Sequence, residues 1–180
     1  MATIFPELRT ERLQLRLPDY RDAANIQRLA GAVEIYRSTE RMPHPYPRGA
    51  AERWIASLAL AYLEDRELVF GICLPEDGLV GTVGLRIDRP YRVGNLGYWI
   101  GVPYWGKGYV TEAAWAIMDF GFGELDLVRI EARHFASNPA SGRIMEKLGM
   151  RREGVLISAV EKDGARQDLV VYGKVRDDHV

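Results

Sequence analysis

Apolar and polar positions alternate in some stretches of this chain and recur at helical spacing in others, and the two periods divide it into elements. Leu13-Gln14-Leu15-Arg16-Leu17 alternates and predicts a first strand with one polar face. Asp19, after Pro18, can cap a helix in which Ala23, Ile26, Leu29 and Ala30 share a face, ending near Gly31. A second helix is predicted over residues 50–64. Residues 68–74 and 79–87 read as a hairpin joined by the turn Pro75-Glu76-Asp77-Gly78. Residues 96–101 and 128–133 are further strands. Between them, Val110, Ala113, Ala114, Ile117, Met118, Gly121 and Phe122 mark a helix. Asn138-Pro139 opens another, since Asn is a favoured N-cap and Pro at the first helical position gives up no hydrogen bond. Ile144, Met145 and Leu148 form its apolar stripe and Gly149 stops it. Two last strands, 152–160 and 167–175, flank the turn Lys162-Asp163-Gly164. The order β-α-α-β-β-β-α-β-α-β-β mixes hairpins with helical crossovers. It predicts an α/β fold with a mixed sheet and helices on both faces, not a purely parallel sheet.

Composition narrows the class. The 180 residues fit one domain, 1–180, with a substantial core. A formal net charge of −1 gives no global basic field for nucleic acid or an anionic membrane. Cys73, the only cysteine, lies in the apolar run Leu68-Val69-Phe70-Gly71-Ile72-Cys73-Leu74 and reads as a small buried hydrophobe. It cannot form an internal disulfide, which fits a reducing compartment. Residues 1–12 hold no apolar segment of signal-peptide length, and the most apolar helix, residues 54–63, is too short to span a bilayer. A cytoplasmic protein is expected. His44, His134 and His179 show no metal-ligand spacing, so no metal is expected.

The most informative stretch runs from Gly97-Tyr98-Trp99-Ile100-Gly101-Val102-Pro103-Tyr104 into Trp105-Gly106-Lys107-Gly108-Tyr109-Val110-Thr111-Glu112-Ala113. It reads as a strand, a glycine-rich turn and the start of a helix. Glycines around a lysine leave backbone N–H groups bare where the helix dipole is positive, a combination that favours a phosphate. Asn138 begins a second helix of the same competence.

Two such helix starts in one α/β chain resemble the GNAT superfamily of acetyl-coenzyme A-dependent N-acetyltransferases, and most closely its ribosomal-protein N-terminal acetylase-like branch. Four segments carry the likeness in family order: Arg9-Thr10-Glu11-Arg12-Leu13-Gln14-Leu15-Arg16; the strand and glycine turn just described; Asn138-Pro139-Ala140-Ser141 through Lys147-Leu148-Gly149-Met150; and Asp168-Leu169-Val170-Val171-Tyr172-Gly173. The resemblance implies the GNAT fold, a mostly antiparallel mixed sheet of about seven strands. It places the pyrophosphate of acetyl-CoA against Trp105, Gly106, Lys107, Gly108, Tyr109, Val110 and Thr111. It places the pantetheine arm along the strand end at Ile100-Gly101-Val102, whose backbone can pair with the arm's two amides. Asn138 would shape the pantetheine slot, with Arg143 and Lys147 toward the nucleotide phosphates. These two also read as a solvated basic face, and Asn138 as a cap alone. His44 and Tyr46, in the proline-rich loop Arg41-Met42-Pro43-His44-Pro45-Tyr46-Pro47, would border the acceptor.

Three positions depart from the family pattern. Val110 occupies a position that is commonly Gly or Ala, where a β-branched residue is expected to narrow the approach to the turn. Asn95 stands where many relatives carry a carboxylate. Met145 stands where a Tyr acid is often found, and a thioether donates no proton. Ser141, the hydroxyl left on that helix start, resembles the group that stabilises the departing thiolate in the ribosomal-acetylase branch. A strand N–H near Ile100 can meet the oxyanion. No strong base stands out: Tyr172, Glu131 or a water held by the sheet could assist, with Tyr172 the second catalytic candidate. An α-amine titrates near pH 8 and a lysine more than two units higher, so an enzyme without a strong base is easier to reconcile with an α-amine. The expected reaction moves acetyl from acetyl-CoA to a primary amine by direct attack in a ternary complex, without metal. A protein N-terminus is one acceptor class, and an antibiotic, polyamine or amino-acid derivative is the alternative. A CoA-binding module that has lost catalysis is the rival from another class. The sequence leaves monomer and homodimer open.

Overall fold

A computed structural model describes residues 5–176, so His179 lies outside the described residues. One sheet of eight strands runs through them in the order β1-β2-β3-β4-β5-β6-β8-β7. The strands are β1 (Leu8–Arg9), β2 (Gln14–Arg16), β3 (Glu67–Leu74), β4 (Gly78–Asp88), β5 (Val93–Ile100), β6 (Arg129–Phe135), β7 (Arg151–Lys162) and β8 (Ala165–Val175). The helices are α1 (Ala23–Ala30), α2 (Val33–Ser38), α3 (Ala50–Leu63), α4 (Tyr109–Gly123) and α5 (Pro139–Lys147). Only β5 and β6 pair in parallel; every other neighbouring pair is antiparallel. This is the expected mixed sheet with one strand more than about seven. The addition is β1, two residues set against Leu15 and Gln14, too short for any period to show.

Helices cover both faces. α4 buries Val110, Ala113, Ala114, Ile117 and Met118 against Leu68, Phe70, Leu85, Leu96 and Ile130. α1 and α3 cover the other face, where Ala23, Ile26, Ala51 and Ile55 pack with Cys73 and Leu79. Cys73 is buried as expected, and burial pushes its thiol up to about 11, which keeps it protonated and inert. Asp19 does cap a helix start, but the first turn is a 3-10 helix, Tyr20–Asp22, closed by a capping box with Asp22. The buried Asp22 carboxylate then takes both Arg16 guanidinium nitrogens at 2.8 Å, a bidentate pair that fastens α1 to β2. α2 was not predicted. It spans six residues and its N-cap, Ala32, offers no capping side chain, so neither period nor cap signals it in the sequence.

Two departures from regular pairing position the site. β5 and β6 pair at Val93–Arg129, Gly94–Ile130 and Asn95–Glu131, and there the pairing stops. β5 remains paired with β4 as far as Ile100. The two central strands therefore part like a V beyond Asn95. Secondly, β7 and β8 form a long hairpin whose turn residues Asp163 and Gly164 both have positive φ, 53° and 73°. That is the type I′ geometry whose twist suits a hairpin. A bulge between Leu156 and Val160 bends β7, with the Ser158 N–H held by Asp168 Oδ1 at 2.7 Å.

Candidate active site

A cleft of about 820 Å³ opens where β5 and β6 part. Its floor is the α1/α3 face of the sheet, at Val69, Thr82, Gly84, Asn95, Gly97 and Trp99. One wall is the chain from Ser38 to Pro43 with Tyr46, Ala50 and Trp54. The other is Arg133 to Phe135 of β6 with Ser141 and Met145 of α5.

The V supplies backbone hydrogen-bonding groups. The Gly101 N–H donates to the Val80 carbonyl at 2.9 Å, so alternation along β5 directs Trp99, Gly97 and Asn95 to β4. Tyr98 and Ile100 then turn their N–H and C=O toward β6 beyond the last paired residues, where no strand meets them. The Trp105 indole N–H takes the Ile100 carbonyl at 2.8 Å, which ties the glycine turn to the strand end and leaves the Ile100 N–H to the gap. Val102 starts a short 3-10 turn and is half-buried. An extended ligand with amides of its own fits such an edge.

At the far end of the gap, Gly106 and Gly108 adopt φ of 74° and 81°, left-handed backbone that favours glycine. Gly108 is the N-cap of α4 and has no side chain to accept, so the first-turn amides of Tyr109, Val110 and Thr111 lack a side-chain partner. Trp105, Gly106, Lys107 and Gly108 are exposed, and the Lys107 ammonium lies 5.4 Å from the Tyr104 ring centre. The turn is propped from the N-terminal segment. Arg12 donates through Nη1 to the Lys107 carbonyl at 3.0 Å and through Nε to Glu112 at 2.7 Å, and its guanidinium lies 4.7 Å from the Tyr109 ring centre. Thr10 Oγ1 donates to the same carboxylate at 2.5 Å. Burial pushes the Glu112 carboxyl up, but these hydrogen bonds outweigh it and hold the group below the usual range. Thr10, Arg12 and Glu112 were not singled out as partners from sequence, because about a hundred residues separate them.

Val110 corrects an expectation. Its side chain is buried in the core under α4, so it does not narrow the approach to the turn. Val110→Ala should cost about 1–2 kcal/mol of stability by leaving a small cavity, with acetyl-CoA affinity within about twofold of wild type. Denaturant unfolding beside calorimetric titration checks both.

On α5, Asn138 caps the helix by accepting from the Ser141 N–H at 3.4 Å, and its Nδ2 donates to Ser141 Oγ at 3.2 Å. A serine oxygen that accepts there keeps its own hydrogen to donate, and among the described groups nothing takes it. Tyr98 bridges the V, its hydroxyl donating to the Ser141 carbonyl at 3.2 Å; burial pushes that phenol up to about 12. Met145 lies one turn beyond Ser141 and lines the cleft. Arg143 and Lys147 are exposed on the same helix without a described partner.

Tyr172 is not brought to the cleft. It is buried between β6 and α5, its ring centre 5.7 Å from that of His134, and its hydroxyl donates to Glu146 Oε1 at 3.2 Å. Burial and that carboxylate push the phenol up. Its geometry is that of a core residue with a satisfied hydroxyl, which corrects the expectation that Tyr172 assists as a base or serves as the second catalytic group. The two acceptor-loop candidates also divide. Tyr46 lines the cleft, whereas His44 is exposed against Tyr36 with ring centres 5.5 Å apart. Among the described residues no group of three His, Cys, Asp or Glu is gathered as a metal site would need.

The chain matches the acetyltransferase (GNAT) domain family over residues 12–151. This chain is a GNAT acetyltransferase. It is 32% identical over 177 residues to the uncharacterized N-acetyltransferase YoaA of Bacillus subtilis, spanning 96% of this chain and 98% of that one. A solved ribosomal-protein-S5-alanine acetyltransferase from Vibrio fischeri is similar at 26% identity and a TM-score of 0.84, covering 96% and 98% of the two chains. The microcin C7 self-immunity acetyltransferase MccE, solved with acetyl-CoA and AMP, shares the fold at 22% identity and a TM-score of 0.83, covering 93% and 94%. As a member of the GNAT acetyltransferases, the protein depends on acetyl-CoA for acetyl transfer. No helix of the described residues is long and apolar enough to cross a membrane.

Proposed function

We propose that this GNAT acetyltransferase transfers acetyl to a primary amine by direct attack in a ternary complex, with a protein N-terminal α-amine as the acceptor class. The observation that carries the acceptor class is the state of the carboxylates around the cleft. Glu40 is held bidentately by Arg133 at 2.8 and 2.9 Å, and Glu67 lies 3.7 Å from Arg86. Glu131, next to the parting strands, lies 3.6 Å from Arg129, and position 95 is an asparagine. Arginines facing these carboxylates leave little bare negative charge around the cleft, which disfavours a polyamine and suits an amine already partly neutral near pH 7.

The roles follow from placement. The amides of Gly106–Thr111 with Lys107 and Trp105 bind the pyrophosphate, and Arg143 and Lys147 reach the nucleotide phosphates. The gap-facing groups of β5, ending at Ile100 and Val102, pair with the pantetheine arm beside Asn138. Ser141 donates to the departing thiolate, and the Ile100 N–H stabilises the oxyanion, a donor of a kind worth roughly 3 kcal/mol. Tyr46 borders the acceptor. Residues 1–180 act as one cytoplasmic domain without a metal.

Acetyl-CoA at a hundredfold excess over its Kd should stabilise the protein by roughly 2.7 kcal/mol, read as a rise in Tm. Free-thiol release should then be fastest with peptides bearing a free N-terminal serine or alanine. An Nα-blocked lysine peptide or spermidine that reacts faster would overturn the acceptor class. Tight CoA binding with no turnover on any amine would leave a binding module in place of an enzyme.

A further inference from the structure

The acceptor wall is held by more than its own segment. Three carbonyls at the end of α2 are taken by side chains from two distant elements. Lys162, at the tip of the β7–β8 hairpin, donates to the Tyr36 and Thr39 carbonyls at 2.5 Å each. Its ammonium also lies 3.9 Å from the Tyr36 ring centre and 5.6 Å from that of Phe135. The neighbouring Asp163 accepts from the Tyr36 hydroxyl. Asn138 Nδ2, the group that also donates to Ser141 Oγ, reaches the Ser38 carbonyl at 3.3 Å.

Ser38, Thr39, Glu40 and Phe135 line the main cleft, so the carbonyls and ring that Lys162 engages belong to its wall or adjoin it. A second cavity of about 530 Å³ runs under the hairpin tip, between Lys162, Asn138 and Tyr36, and shares Ser38 and Phe135 with the main cleft. No carboxylate lies within ion-pair distance of the ammonium among the described residues, and its partners are carbonyls and aromatic faces. A charged group spent on loop carbonyls beside the active cleft holds shape: the Ser38 and Thr39 hydroxyls both go to the Ile35 carbonyl, at 3.1 and 2.7 Å, which leaves the Tyr36 and Thr39 carbonyls to Lys162.

We propose that Lys162 is a positioning residue for the amine acceptor. The β7–β8 hairpin acts through it as a strap that fixes residues 36–40 against β6 and α5, and Asn138 ties the same wall to Ser141. The proposal rests on the acetyltransferase reading above, and the two can fail separately.

The test compares wild type with Lys162→Met, which keeps the apolar stem and removes the donors, and with Lys162→Arg, which keeps a cation. With an N-terminal serine peptide as probe, Lys162→Met should raise the peptide KM roughly tenfold, with kcat and the acetyl-CoA KM within about threefold, the signature of lost acceptor binding. Lys162→Arg should recover most of the loss. Hydrogen exchange of residues 33–42 should quicken in Lys162→Met alone, while exchange at the α4 start stays unchanged. An unchanged peptide KM in an active Lys162→Met, or an unchanged exchange pattern, overturns the positioning role. A wild type that acetylates none of the amines overturns the reading beneath it and the proposal with it.

Discussion

Ser141→Ala should lower kcat by roughly tenfold to a few hundredfold while the KM for acetyl-CoA stays within a small factor. The hydroxyl is held ready by geometry: Asn138 Nδ2 donates to its oxygen at 3.2 Å, so the serine hydrogen is left for the cleft. Charge on sulfur arises only as the thioester breaks, and a donor to it therefore favours the transition state over the bound ground state. Stability should change little, since the helix start is capped by Asn138 Oδ1 on the Ser141 N–H and not by the serine hydroxyl. Steady-state kinetics beside a denaturant curve separates the two effects. A folded Ser141→Ala with wild-type kcat would remove the residue from the chemistry. Tyr172→Phe serves as the control, with an expected kcat near wild type because its hydroxyl is engaged by Glu146 away from the cleft.

Gly108→Val should weaken acetyl-CoA binding by on the order of a hundredfold, about 3 kcal/mol, well beyond its effect on folding. Gly108 sits at φ 81°, where any side chain is strained by about 1–2 kcal/mol and a β-branched one by more. A Cβ there would lie 3.4 Å from Arg12 Nη2, so the larger side chain also pushes on the guanidinium that props the turn through the Lys107 carbonyl. Its methyls would stand over the first-turn amides of α4, which the anion must approach. Calorimetric titration with acetyl-CoA, read against the unfolding free energy of the free variant, distinguishes lost binding from lost fold. Equal affinities for the variant and wild type would make the turn a plain connector.

The legible parts of the chain were those where one physical rule acts locally. Asn138-Pro139, the glycines around Lys107 and the Asp163-Gly164 turn each announce a backbone conformation by residue type, and all three stand where expected. β3, β4 and β6 show their periods, and their bounds move by only a residue or two. α2 and β1 were illegible because six residues and two carry no period. Tyr172 is illegible for another reason. Its residue type offers a proton, but only the tertiary structure puts that side chain in the core with its hydroxyl on Glu146. Val110 belongs to the apolar face that its helical period already marks, so its side chain lies under α4 while its backbone stays at the turn.

The sequence by itself determined the order of the longer elements, the glycine turn and the starts of α4 and α5, because dihedral preference and capping act within a few residues. The tertiary structure decided everything that needs distant residues to meet. The parting of β5 from β6 after Asn95, the propping of the turn by Arg12 through Glu112, the pairing of each cleft carboxylate with an arginine and the reach of Lys162 to α2 join positions far apart in the chain. Such contacts follow from how the sheet twists and where each face is buried, and no local pattern encodes them.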